Sequence, residues 1–174
     1  MKLTHLDILT GWPVVYDMAL ATQGRRDQYA EPTPEWRKRM IQAEHSPIRA
    51  LTFCWTWEDL PYWVSVHISR HKIGIEHFVS TQRTDRTGIE RDKLPQDAPV
   101  MHTCIANAQA LIAISRKRLC NKASQETRQA WDLLRFVMQK VDPIMASAMV
   151  PECAYRGMCP EMRPCGRIEN QPDK

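Results

Sequence analysis

The segment Leu51-Thr52-Phe53-Cys54-Trp55-Thr56-Trp57 alternates large apolar side chains with smaller ones. Period-two alternation puts Leu51, Phe53, Trp55 and Trp57 on one face and Thr52, Cys54 and Thr56 on the other, and the content is aromatic and β-branched. This is a strand with one face to bury, so the chain must supply a covering layer.

Helical patterns flank that strand. Upstream, Thr33 before Pro34 is an N-cap followed by a proline at the first helical position, and Trp36, Met40 and Ile41 then recur at helical spacing to about Glu44. That helix ends near Ser46-Pro47. Downstream, Asp59 and Pro61 signal a helix from Tyr62 to about His71, and a second extended piece is expected from His77 to Gln82. Residues 83–99 are charged and carry Thr84-Asp85-Arg86-Thr87-Gly88 and two prolines, the composition of an exposed connection. A short stretch from Met101 to Ile105 leads into a helix from Asn107 to about Leu119. The clearest helix runs from Ala123 to Val141, with Ala130, Trp131, Leu134, Val137, Met138 and Val141 at spacings of three and four, and Pro143 stops it. Residues 151–174 hold three cysteines, prolines and charges without periodicity, so irregular structure is expected. The whole chain, 1–174, reads as a single α+β domain, a mixed or antiparallel twisted sheet packed by helices.

Its 174 residues suffice for a real core without disulfide support. The six glycines, Gly11, Gly24, Gly74, Gly88, Gly157 and Gly166, all stand alone, which excludes a Rossmann fingerprint and a P-loop. Any nucleotide must therefore be gripped by side chains. The net charge of +4 permits an anionic ligand, but the basic residues lack the interleaved aromatics that stack bases, so nucleic acid is not expected. No apolar run reaches membrane-spanning length, and Lys2, His5 and Asp7 interrupt the N-terminus where a signal peptide would be apolar. A cytoplasmic protein with reduced thiols is expected.

Three basic places could carry chemistry. His67 and His71 are four apart on one helical face, the spacing of a two-histidine metal site. The residues between them are Ile68, Ser69 and Arg70, without the glutamate of the zinc-protease pattern, and Arg70 and Lys72 repel a metal, so none is assigned. Two readings stay open for Arg70, His71 and Lys72: cations well placed at a helix C-terminus, or a phosphate site in which Arg70 forks onto the anion. Arg116, Lys117 and Arg118 form a second cluster, readable as a solvated helix end, and Arg91 is an isolated cation before Leu94-Pro95. Nothing in composition says that the three converge. Cys153, Cys159 and Cys165 are spaced more widely than zinc-ribbon pairs and read as buried or incidental thiols.

Taken in order, His45-Ser46-Pro47, Arg70-His71-Lys72, Ser80, Arg91-x-x-Leu94-Pro95, Asn107-Ala108 and Arg118-x-x-x-x-Ala123-x-x-Glu126-x-Arg128 make the chain resemble the flavin-dependent thymidylate synthases. Arg91 to Glu126 can be laid on the family pattern without a gap. The cysteine-bearing tail is similar to that of some members, and the resemblance spans residues 44–166. It implies an α+β fold in a homotetramer with active sites between subunits. It also implies methylation at C5 of a pyrimidine deoxynucleotide, dUMP to dTMP, with methylenetetrahydrofolate giving the carbon and FAD, reduced by NADPH, giving the hydride.

By the same register, Ser46, Arg70, His71, Lys72, Asn107 and Gln109 fall where the family contacts flavin. His67, Arg70, Ser80, Gln82 and Arg91 fall where it binds the nucleotide, and a one-residue slip adds Arg83. Arg118 falls on the arginine assigned to polarising the pyrimidine ring. There are departures. Lys72 replaces an arginine, Ile75 a serine and Phe78 a glutamate, and Gln82-Arg83 stand for Arg-Tyr. Gln109 and Ala113 replace an arginine and an asparagine that hold flavin, and the segment before Arg91 is shortened to Thr84 through Glu90. The residues leave open uracil against cytosine and methyl against hydroxymethyl. They also leave open a catalytically silent relative that binds a nucleotide or partner without flavin.

Overall fold

The alternating segment lies inside the central strand pair of a four-stranded sheet in the structure, a computed structural model describing residues 1–26 and 29–168. Strands β1 (Lys2–Thr10), β2 (Thr52–Pro61), β3 (Ile75–Val79) and β4 (Pro99–Asn107) run in the spatial order β1-β2-β4-β3, and every pairing is antiparallel. Trp55 lies opposite both Leu6 and Cys104, and His77 lies opposite Cys104. Because side chains alternate, one face collects Phe53, Trp55, Trp57, Ile75, Val100, His102, Cys104 and Ala106, all buried. The other face carries Thr103, Ile105, Glu76 and Phe78 and is open enough to leave Phe78 58% exposed.

The covering helices are α1 (Trp12–Ala21), α2 (Pro34–Ala43), α3 (Tyr62–Ser69), α4 (Thr84–Thr87), α5 (Ala108–Arg118), α6 (Gln125–Val141), α7 (Pro143–Ala148) and α8 (Glu152–Arg156). Helix α6 carries the apolar stripe read from its sequence. Its Trp131 is fully buried against Trp55 and Trp57, and these three rings meet edge-on or tilted with centroids 5.6 to 6.2 Å apart. Two of the three indole N–H groups are satisfied: Trp57 Nε1 donates to the Ala130 carbonyl at 3.1 Å and Trp131 Nε1 to Ser115 Oγ at 2.8 Å, while Trp55 Nε1 has no partner among the described residues. Burying side chains of this size contributes about 1.5–3 kcal/mol apiece.

Several boundaries differ from the sequence expectation, each for a local reason. Strand β1 went unread because register shifts between Leu3 and His5 and between Ile8 and Thr10 break its period, and its charges lie on an edge strand rather than interrupting an apolar run. Helix α1 also went unread. It starts with Trp12-Pro13 after Gly11, and Trp12 Nε1 donates to Asp142 Oδ2 at 2.6 Å. Helix α2 begins as expected, with Thr33 Oγ1 accepting from the Trp36 amide, and ends at Glu44 in the left-handed region.

Helix α3 stops two residues early and β3 starts two residues early, because Gly74, at φ 71°, turns the chain between them. Helix α6 ends at Val141 before Pro143, as expected, but Pro143 does more than stop it. It opens α7, capped by Asp142 Oδ1, which accepts from the Met145 amide at 2.9 Å. The tail expected to be irregular contains α8, a single turn too short to show periodicity. Residues 80–98 are largely an exposed connection, interrupted by α4 and by a 3-10 turn at Arg91–Lys93. Among the described residues, no helix is long and apolar enough to cross a membrane.

Candidate functional site

The loop 70–74 between α3 and β3 lies beside the C-terminal end of α5. Helix α5 begins where β4 ends, at Asn107, whose side chain accepts from the Ala110 amide at 2.9 Å and whose amide donates to the Gly74 carbonyl at 2.9 Å. Gly74 is required there. A Cβ at that position would meet the Asn107 side chain at 2.7 Å. One contact thus fixes both the loop and the helix start.

Arg118, the last residue of α5, points back into this loop. Its Nε donates to His71 Nε2 at 2.8 Å and its terminal nitrogen donates to the His67 carbonyl at 2.6 Å. A guanidinium can only donate, so His71 Nε2 must be the lone-pair nitrogen and the ring proton sits on Nδ1. Burial pushes the His71 pKa down to about 4, helped by Arg118, His77 and Arg70, so the ring is neutral at pH 7. Burial, followed by Arg70, also lowers the Arg118 pKa. Among the described residues no carboxylate pairs with Arg118 or Arg70. His67 is itself anchored, with Nδ1 3.2 Å from Thr127 Oγ1 and its ring edge-on to Trp63. A half-buried, unneutralised cation is therefore aimed by α3, the loop and α6 together.

A cleft of about 340 Å³ opens between the loop and α5, with Arg70, His71, Lys72 and Lys117 around an apolar floor of Ala110, Ala113 and Ile114. Positive charge beside an apolar floor suits a ligand with an apolar part and a phosphate. A second cavity of about 310 Å³ lies across α5, lined by Glu44, Ile112, Arg116, Ile144, Ala148 and Tyr155 among others. Its arginine is already matched: Arg116 pairs with Glu44 and lies 3.6 Å over the Tyr155 ring.

The structure brings together His67, Arg70, His71, Lys72 and Arg118, and sets Asn107 at the adjacent helix start. Gln109 points elsewhere, donating from Nε2 to Glu44 Oε2 at 3.1 Å. Ser46 opens the 3-10 turn Ser46–Ala50. Ser80 extends the β3 ladder, its amide donating to the Met101 carbonyl and its hydroxyl accepting from the Met101 amide. Gln82 is half-buried in the chain that follows. Arg83 forks onto Asp85 at 3.0 and 2.7 Å, an exposed local pair, and Arg91 is exposed on its 3-10 turn. Sequence reasoning missed Glu44, which ties Gln109 and Arg116 to α2. It also missed a group of half-buried His77 with buried His102 and Cys104 beneath the loop. His102-x-Cys104 put two ligand types on one strand face, but their pairing with His77 depends on register.

No protein-family model and no curated protein sequence matches the chain. Solved structures match in fold. The flavin-dependent thymidylate synthase ThyX of Helicobacter pylori, complexed with FAD and dUMP, aligns with a TM-score of 0.64 at 12% identity, covering 86% of this chain and 99% of that one. A second structure of that enzyme with FAD and dUMP gives 0.63 at 11% identity, over 86% and 100% of the two chains. The UMP/dUMP methylase PolB of Streptomyces cacaoi, bound with 5-Br dUMP, gives 0.59 at 12% identity, over 84% and 94%. The chain therefore has a ThyX-like α+β fold, as the sequence resemblance implied.

Proposed function

We propose that the protein transfers a one-carbon unit to C5 of a pyrimidine deoxynucleotide, dUMP to dTMP in the simplest case, with methylenetetrahydrofolate as carbon donor and FAD and NADPH as the redox pair. The observation that carries this reading is Arg118, a half-buried guanidinium oriented by the neutral His71 ring and the His67 carbonyl. A fixed cation beside the ring carbonyl and N3 stabilises negative charge that develops as C5 becomes nucleophilic, and no protein nucleophile is needed. Arg70 and Arg91 bind the substrate phosphate, with His67, Ser80, Gln82 and Arg83 around the nucleotide.

The cleft residues fit a flavin in character, since Arg70, His71 and Lys72 give donors over an apolar floor and Asn107 stands at the α5 start. Ser46 and Gln109 are the remaining proposed contacts, and Gln109 would have to leave Glu44 to make its own. When bound, this group supplies the hydride; the chain supplies binding, orientation and charge. Arg91 is exposed and separate from the loop, which favours a homo-oligomer, a tetramer in our reading, in which one subunit completes another's site. Sedimentation velocity reads that state.

A second reading is favoured by Gln109, which stands where the resembling family holds flavin and is tied to Glu44. It is a nucleotide-binding relative that has lost the flavin. The visible spectrum of the purified protein before and after adding FAD separates the two, because a colourless protein that takes up no flavin defeats the redox enzyme. If flavin binds, tritium release from C5-labelled dUMP against dCMP identifies the base, and release from neither defeats one-carbon transfer.

A further inference from the structure

We propose that His77, His102 and Cys104 form a binding site for one thiophilic closed-shell metal ion, Zn2+ or Cu+, in the core beneath loop 70–74. The site follows from strand register. His102 and Cys104 are two apart on β4 and so share its buried face, and His77 on β3 lies directly opposite Cys104. His77 Nδ1 is 3.1 Å from His102 Nε2 and 3.4 Å from Cys104 Sγ. Around a tetrahedral zinc, two nitrogens are separated by about 3.3 Å and a nitrogen and a sulfur by about 3.6 Å, given Zn–N near 2.05 Å and Zn–S near 2.3 Å. The two separations from His77 Nδ1 are already close to those values, and the ligand atoms of all three residues lie within 4.8 Å of one another.

Protein hydrogen bonds alone do not satisfy this group. His77 Nε2 is 2.8 Å from the His71 carbonyl, which can only accept, so the ring proton is on Nε2 and Nδ1 offers one lone pair. Both other groups face that single lone pair, His102 through Nε2 and Cys104 through its thiol. His102 is fully buried, and its second nitrogen, Nδ1, has no partner among the described residues. A cation at the centre would let all three atoms act as donors of electron pairs. The His71 carbonyl would then be the outer acceptor that orients a metal-bound imidazole.

The ligand set of one thiol and two imidazoles selects soft or borderline ions over Mg2+ or Ca2+. Binding replaces the S–H bond of Cys104 by an S–metal bond and releases one proton to solvent, with no change of oxidation state. The ion would bridge β3 to β4 and, through the His71 carbonyl, stiffen loop 70–74. The inference stands whether or not the protein transfers carbon.

The full chain, reduced and stripped of metal, is titrated with Co2+ as optical stand-in for Zn2+, and separately with Cu+ held by a chromophoric chelator. One ion per chain is expected in at least one arm, seen as a thiolate-to-Co2+ band below about 400 nm or as one equivalent of Cu+ withdrawn. Cys104→Ser and His77→Gln should each weaken binding at least about tenfold, whereas replacing Cys153, Cys159 and Cys165 together by serine should not. Far-UV circular dichroism checks that each variant folds. Zinc-edge X-ray absorption on the loaded wild type needs no variant and should report one sulfur among its ligands. Failure of both ions to bind at one equivalent, binding that survives Cys104→Ser, or binding lost with the tail cysteines overturns the proposal.

Discussion

Arg118 Nε donates to His71 Nε2 across 2.8 Å, so the cation beside the cleft is aimed by an imidazole that bears no charge. Replacing Arg118 with alanine removes the charge and both directional donors. Turnover, read by tritium release, should fall at least about 100-fold, while the melting temperature shifts by only a few degrees. Arg118→Lys keeps the charge without the fork and should recover only a minor part of the loss. Wild-type turnover in the alanine variant would contradict the role given to Arg118.

Glu44 closes α2 in the left-handed region at φ 48° and holds two residues of α5, Gln109 and Arg116. Glu44→Gln keeps the shape and removes the charge, leaving the half-buried Arg116 without its carboxylate. A loss of about 1–3 kcal/mol is expected, measured as a lower urea midpoint at constant slope. An unchanged midpoint would show that stacking on Tyr155 alone holds Arg116.

Gly74→Ala tests the hinge of the cleft. The substitution combines a positive φ with a Cβ pressed against the Asn107 side chain, which also caps α5. It should cost about 2–4 kcal/mol. Serine at Gly88, also at positive φ but with open space around it, should cost only about 1 kcal/mol. Equal losses in the two variants would refute the close approach.

Stability should fall in acid. Burial holds both His71 and His102 at about 4, below the ordinary histidine value of 6.5. Between those values the unfolded chain binds protons that the folded chain refuses, so stability is flat above about pH 7 and declines as pH drops from 6.5 toward 4. For metal-free protein, the melting temperature should be about 5–10 °C lower at pH 5 than at pH 7. A flat profile across that window would mean that the two rings titrate normally.

Elements with an uninterrupted period were legible in the sequence. The Leu51 to Trp57 alternation and the Trp131 stripe of α6 needed only local reading, and Thr33-Pro34 announced α2 by its cap. Strand β1 was hidden by two register shifts, and α8 by being one turn long. In the site, the Arg70-His71-Lys72 run and Arg118 were visible as charges, but their meeting depends on how α5 packs against loop 70–74. Gln109 shows the converse, since its rotation toward Glu44 is set by α2, far away in sequence. The His77, His102 and Cys104 group could not be found by spacing, because it exists only in the β3–β4 register.

The hydrogen bond from Trp12 to Asp142 joins residues 130 apart, and Asp142 also starts α7. Strand β1 in turn waits for β2 more than 40 residues downstream. During synthesis β1 can pair only once residues 52–61 have left the ribosome, and the tie from Trp12 to Asp142 closes only when nearly the whole chain has emerged. Acquisition of the native structure is a late event, with the N-terminal strand edge exposed meanwhile to chaperones or to other chains.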